Sequence, residues 1–324
     1  MHKFFMVLVS LVSSGLLVGG VGAAERGKPI RIGVLTESWG PTPHVFGLRD
    51  GLKELGYRED MDFVIGVRFT QGDIAALPAA ARDLIKLGVD ILFAGGPTAA
   101  NAAQTVTNRI PIVFAELPDP LGSGLIKSFA RPGGNATGIT DLNLELAPKR
   151  LEIFSEMIPG LKRVLFPYNV NDSYGVAEAK AYRDAAQRLR LALVEKRLKT
   201  QEEAQAALAR VRKGDVHGVL SPRSISLNIP GFVLEATSQH AIPTMFSTTF
   251  FPESGGLAAY GAALYESGRR AARLVDKIVK GTKPAEIPVE VNERMELIIN
   301  VKVAKALGIK IAPEVLYRAN RVIR

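Results

Sequence analysis

The sequence runs to 324 residues, 47% hydrophobic and 23% charged, the balance of a folded chain and length enough for two cores. It has no cysteine, which excludes a disulfide scaffold and removes the residue that lipoprotein attachment needs. The net charge is +9, but basic and acidic residues interleave, as at Arg49-Asp50 and Lys53-Glu54, and no basic run carries interleaved aromatics, so solvated helix faces are favoured over a nucleic-acid surface.

Residues 1–24 read as a secretory signal peptide. Lys3 supplies the positive start, 4–21 is apolar, and Val21, Ala23 and Ala24 form a small-residue cleavage site. The run is barely long enough to span a bilayer, and its Ser and Gly weaken it as an anchor. A soluble, periplasmic, monomeric mature chain is expected.

Residues 30–35 (IRIGVL) predict a first strand. Thr42 and Pro43 open a helix with Val45, Leu48, Leu52 and Leu55 on one face, stopped by Gly56. A strand at 63–69 follows, then an Asp73-capped helix with the stripe Leu77, Ala81, Leu84, Leu87. A strand at 89–94 leads through Gly95-Gly96-Pro97-Thr98 into a helix at 99–107. The stretch 112–138 (IVFAELPDPLGSGLIKSFARPGGNATG) organises the chain. It holds a buried strand at 112–115, a polar loop with Glu116 and Asp119, a short amphipathic piece at 125–130, a turn at 131–135 and an exit strand at 136–140. Alternating strands and helices predict a parallel, doubly wound lobe.

The rhythm restarts after Thr140. Helices are expected at 147–158, 178–189, 202–212 (Thr200 and Glu203 as a capping box) and 233–239, with strands at 163–167, 191–195, 216–220 and 242–246. The run 255–260 reads as a second passage between lobes, followed by a helix at 264–280. Strands at 287–291 and 297–299 and an Asn300-capped helix at 301–307 complete the chain. The expected division is 25–141 with 256–285 in an N-terminal lobe and 142–255 with 286–324 in a C-terminal lobe.

No nucleophile elbow, P-loop, dinucleotide fingerprint or metal-ligand spacing is present, so no cofactor, metal or catalytic residue is expected. The polar residues fall at strand ends, where open α/β sheets gather ligands. Ser38 and Trp39 follow the first strand; Gly96, Pro97 and Thr98 open a helix whose N-terminus favours a carboxylate. Glu116 or Asp119 can pair with an ammonium, and Arg223 can hold a carboxylate bidentately. Tyr168, Asn169, Ser173, Tyr174, Ser221 and Thr248 occupy the equivalent places in the second lobe, and Trp39 and Tyr168 can sandwich an aromatic group. Plainer roles exist: Gly95-Gly96 as a turn, Asp119-Pro120 as a turn initiator, Arg223 as a surface charge.

Several stretches resemble the bacterial ABC-transporter substrate-binding family that includes tryptophan- and tyrosine-type binding proteins. They are IPIVF…DP…G…ARPGGNATG at 110–138, GGLAAYGAALYESGRRAARLVDKIVKGTKPAEIPVE at 255–290, ELIINVKVAKALGIKI at 296–311 and PEVLYRANRVI at 313–323. The resemblance implies a type 1 periplasmic-binding fold, with two α/β lobes, three crossovers and a small-molecule ligand between them. It implies delivery to an inner-membrane ABC permease with its ATPase. An aromatic amino acid or aromatic carboxylate is the expected ligand class. Trp39 and Ser221-Pro222-Arg223 depart from the family pattern, so ligand identity does not transfer directly. A sensory binding module, or an exported enzyme on the same scaffold, are the alternative readings.

Overall fold

Apolar runs become strands and helical stripes become helices close to where their periodicity places them. The computed structural model describes residues 28–38, 40, 42–141, 143–223 and 226–324; the signal-peptide and Trp39 readings lie outside the described residues. The first lobe contains β1 (Ile30–Thr36), α1 (Pro43–Glu54), β2 (Phe63–Phe69), α2 (Leu77–Lys86), β3 (Ile91–Gly95), α3 (Pro97–Val106), β4 (Ile112–Leu117) and β5 (Ala136–Asp141). The chain crosses to α4 (Asn143–Met157), β6 (Arg163–Asn169), α5 (Ser173–Arg188), β7 (Ala192–Leu198), α6 (Gln201–Ala209), β8 (Gly218–Leu220), α7 (Ile229–His240), β9 (Thr244–Phe246) and β10 (Ala258–Ala262). It returns with α8 (Leu264–Val279) and β11 (Glu290–Asn292), then leaves again for β12 (Met295–Asn300), α9 (Val301–Ala306), α10 (Pro313–Tyr317) and β13 (Arg321–Ile323).

The first sheet runs β11-β5-β4-β3-β1-β2 and is parallel throughout. Its central strands β3, β4 and β5 are buried along their whole length, because helices cover both faces. Leu77, Leu84, Ala99 and Ala103 pack on one face; Leu48, Leu52, Ala271 and Val275 pack on the other. The second sheet runs β13-β12-β10-β9-β8-β6-β7, parallel except for the β10–β12 pair. Its two cores centre on Phe154, Phe166 and Tyr182, and on Leu165, Val233 and Phe246.

Two expected lobe assignments shift. Ala258–Ala262 is not a passage; it pairs with β9 and β12 inside the second sheet, and the crossing falls at Ala263. The turn before it is made by Gly255, at φ 110°. The strand placed near 287–291 ends up in the first sheet, as β11 beside β5, so the third crossing lies between Asn292 and Met295. Neither pairing is written in local periodicity, since both depend on which sheet edge is open. The last two crossings are tied together. The Ala263 N–H donates to Arg294 O (2.8 Å), and Asn292 Nδ2 donates to Ala263 O (3.0 Å) and Ser267 Oγ (2.8 Å).

Local signals divide similarly. Thr200 and Asn300 cap α6 and α9 through Glu203 N (3.2 Å) and Val303 N (3.1 Å). Thr42 precedes α1, but its side chain caps nothing and meets His44 Nε2 at 2.8 Å instead. Residues 125–130 form turns rather than a helical piece, with Leu125 and Ile126 sunk into the first core.

Candidate functional site

The carboxyl ends of both sheets face one cleft, and its centre is an arginine. Arg223 follows β8 in the second lobe, yet its guanidinium is spent in the first. Nη1 donates to Glu116 Oε1 (2.5 Å), and Nη2 donates to Asp141 Oδ2 (3.1 Å) and Glu116 O (3.2 Å). Its own lobe holds it from behind: Thr248 Oγ1 accepts from Nη1 (2.8 Å) and Glu178 Oε2 accepts from the Arg223 N–H (2.9 Å). Arg223 is 4% exposed, Asp141 5% and Glu116 8%, so this charge cluster is desolvated.

Glu116 reaches that position through a backbone irregularity. The β4–β5 register shifts between Ala115 and Leu117, leaving Glu116 as the extra residue at φ 65°. A bulge re-aims a side chain at the end of a strand, and a left-handed non-glycine residue costs about 1–3 kcal/mol unless its surroundings hold it. Here Arg223 supplies that hold, through its hydrogen bond to Glu116 Oε1, while His44 Nδ1 makes no hydrogen bond among the described residues. His44 Nδ1 lies 3.5 Å from Glu116 Oε2, and the ring is buried against Phe93. Burial lowers the His44 pKa despite the nearby Glu116 carboxylate, which keeps the imidazole neutral. Gly95 makes room for the ring, because a Cβ there would stand 2.1 Å from His44 Nε2.

Behind Arg223 the polar chain continues. Glu178 Oε1 faces Arg150 Nη1 and Asn143 Nδ2, each at 3.4 Å. Arg150 is wholly buried and also donates to Asn143 Oδ1 (2.6 Å), the Tyr182 hydroxyl (2.7 Å) and Tyr260 O (2.8 Å). Burial raises the Asp141 and Glu178 pKa values, more than their arginine partners lower them. Burial alone would lower the Arg223 pKa, but Glu116 and Asp141 outweigh it and hold the guanidinium protonated. On the other flank the Thr98 hydroxyl donates to Glu37 Oε2 (2.9 Å), and burial pushes the Glu37 carboxyl up to about 7.

Beside this cluster is a cavity of about 180 Å³ between the lobes. Pro97 and Asn101 of α3 and Leu117 through Asp119 line it from the first lobe; Asp172, Ser173 and Tyr174 line it from the second. The N-termini of α3 and α5 thus open on the same space; Asp172 already caps α5, accepting from the Tyr174 N–H (3.0 Å), whereas α3 has no side-chain cap and is the end left to favour a carboxylate. A larger depression, about 360 Å³, is lined only by second-lobe residues such as Val301, Ala304 and Leu316. Among the described residues no trio of His, Asp or Glu side chains is arranged to hold a metal ion, and no helix is long and apolar enough to cross a membrane.

The expected site residues scatter around this geometry. Gly96, Pro97 and Thr98 stand at the α3 N-terminus, with Gly96 at φ 103°. Ser173 and Tyr174 line the cavity, and the Tyr174 hydroxyl accepts from Asn143 Nδ2 (2.5 Å). Asp119 lines it too, while its Oδ1 accepts from the Gly122 N–H (2.7 Å) as a turn initiator does. Ser38 is engaged locally, donating to Gly40 O (2.7 Å). Asn169 Oδ1 accepts from the Asn171 N–H (2.9 Å) in the turn before α5. Ser221 is buried with an unpartnered hydroxyl, and Thr248 accepts from Arg223.

Three expectations are corrected. Tyr168 is no sandwich partner: it shares the inward face of β6 with Phe166, stacks on it at 5.7 Å, and donates to Glu195 Oε2 (3.0 Å). Arg223 is not a free clasp for a ligand carboxylate, and Glu116 is not free for an ammonium, because each satisfies the other. Glu37, His44, Asp141, Asn143, Arg150 and Glu178 were not anticipated. Asp141 and Glu37 carried one usable signal, a carboxylate at the carboxyl end of a predicted strand.

The sequence model described as "ABC transporter substrate binding protein" matches residues 30–323. The tyrosine-binding protein of Clostridioides difficile (strain R20291) is 28% identical over 289 residues, 89% of this chain and 83% of that one. A Streptococcus pneumoniae ABC domain solved in complex with L-Trp superposes at TM-score 0.78 and 26% identity, over 91% of this chain and all of that one (100%). A conserved domain protein from Vibrio cholerae O1 biovar El Tor superposes at 0.76 and 27% identity, with the same coverage of 91% and 100%.

Proposed function

The chain belongs to the ABC transporter substrate-binding protein family, and from that premise we propose that it is the periplasmic receptor of an importer for an aromatic amino acid or aromatic carboxylate. The ligand's carboxylate sits in the interlobe cavity, at the N-terminus of α3. The ring lies against apolar cleft residues and Trp39. Ligand contact with both lobes draws them together about the three crossings, and the closed form docks on a membrane permease whose ATPase drives transport. The ligand leaves unchanged, without catalysis or cofactor.

The observation that carries this reading is the cavity shared by two helix N-termini, one from each lobe. The likeness to the L-Trp complex supports the ligand class. A thermal-shift screen of amino acids and their deaminated acids tests it. A ligand that binds only the folded state stabilises it by RT ln(1 + [L]/Kd), so millimolar ligand of micromolar affinity adds about 4 kcal/mol. The reading fails if no aromatic acid or amino acid shifts the melting temperature. Recovery of the ligand intact after dissociation separates a receptor from an enzyme.

A further inference from the structure

Two buried carboxylates, Glu116 and Asp141, converge on one point at the carboxyl edge of the first sheet. The bulge at Glu116 and the end of β5 at Asp141 fix that convergence in the backbone. Such a pair in a desolvated place must be neutralised, by a cation or by a proton. The cation present is not a ligand but Arg223, delivered from the opposite lobe and braced by Thr248 and Glu178. Among the described residues, the other titratable groups beside the pair supply no cation: the His44 ring is buried and neutral, and Glu37 and Tyr174 are acids.

We infer that Arg223 is a specificity-determining residue, the resident cation of an anionic subsite built by Glu116 and Asp141, which it closes to the ammonium group of a ligand. This rests on the cleft being the ligand site. The planar fork satisfies both carboxylates at once, which a single ammonium cannot do with the same geometry. A ligand amino group entering here must displace a guanidinium held by four hydrogen bonds, three to the first lobe and one to Thr248 of the second. The Glu116–Asp141 subsite therefore gives an α-ammonium no hold in the wild type, and Asp119 and Asp172 of the adjoining cavity are the carboxylates left for one. Position 223 decides whether the buried subsite adds to them.

The test uses the mature chain as wild type, Arg223→Ala and Arg223→Gln, checked for folding by circular dichroism. Ethylguanidinium chloride is titrated against melting temperature at matched ionic strength. Arg223→Ala is expected to be stabilised by millimolar ethylguanidinium while the wild type is not. In calorimetric titrations, indole-3-propionate is compared with L-tryptophan, and 3-(4-hydroxyphenyl)propionate with L-tyrosine. The substitution is expected to shift each preference toward the amino acid by about tenfold or more. A folded Arg223→Ala or Arg223→Gln that responds to ethylguanidinium no more than the wild type overturns the inference. So does a wild-type complex with L-tryptophan in which the ligand ammonium, and not Arg223, contacts Glu116 and Asp141, an outcome that decides the matter even if neither variant folds. If none of the four ligands binds, the transport reading falls, while the ethylguanidinium response still decides the role of Arg223.

Discussion

Arg223 and Glu116 meet across the cleft at 2.5 Å, one from each lobe and both buried. The pair exists only with the lobes together, so it couples the closed arrangement to a desolvated charge. Removing one partner of such a pair leaves the other uncompensated, which costs about 3–5 kcal/mol. Opening the cleft rehydrates Glu116 and Asp141 and limits that loss. Arg223→Ala is therefore expected to lose about 3 kcal/mol in urea unfolding, at the low end of that range, and to give a more expanded scattering profile than the wild type. Arg223→Lys should lose less, because it keeps the charge and forfeits only the fork. Equal stability and equal scattering for all three chains would show the pair to be incidental.

Stability should fall with pH across the range that titrates Glu37. Its carboxyl is raised from 4.5 to about 7 by burial, so between those values the folded state binds more protons than the unfolded state. Stability from this group is full below about 4.5 and lost as pH rises to about 7, up to about 3 kcal/mol in all. Asp141 and Glu178, also raised, act in the same direction; His44, lowered, acts oppositely below its ordinary value. The comparison with Glu37→Gln isolates the one group. The wild type should lose stability relative to that variant between pH 4.5 and pH 7, the window set by the shift; parallel pH profiles would count against it.

Gly95→Ala tests the seat of His44. The added Cβ would lie 2.1 Å from His44 Nε2, too close for any rotamer adjustment at Gly95 itself. The ring must move, loosening its contact with Thr42 and shifting against Glu116. A loss of about 1–3 kcal/mol is expected, the usual cost of overpacking. Thermal denaturation measures it, and a loss below half a kcal/mol, the scale of a surface substitution, would show that the ring has room.

Trp39 is the chain's single tryptophan, so intrinsic emission reports on one place. If it stands against the ligand ring, emission changes on saturation, and Trp39→Phe weakens binding without changing the melting temperature of the free protein. An unchanged spectrum with a ligand confirmed by calorimetry removes Trp39 from the site.

The legible parts of this chain were those decided locally. The strand at 112–115, the caps Thr200 and Asn300 and the stripe of α8 follow from spacing alone, and they become β4, α6, α9 and α8. The cleft was also legible in outline, since polar loops at strand ends mark it; Pro97, Asp119, Ser173 and Tyr174 do gather round one cavity. What spacing could not show depends on tertiary pairing. The bulge that turns Glu116 arises from the β4–β5 register, and β11 joins the first sheet because β5 leaves an edge open there. Tyr168 was misplaced because alternation along β6 fixes which residues share a face, not which face is the cleft. Arg223 is legible as a cation at a strand end, but not its role, because the carboxylates it pairs with, Glu116 and Asp141, lie more than 80 positions away in sequence.

The most direct measurement is a crystal structure of the chain with an aromatic carboxylate that shifts its melting temperature. The ligand carboxylate is predicted at the N-terminus of α3, facing Ser173, with Arg223 still on Glu116 and Asp141. A ligand bound outside the interlobe cavity, or an occupied cleft in which Arg223 has left both carboxylates, would contradict the account.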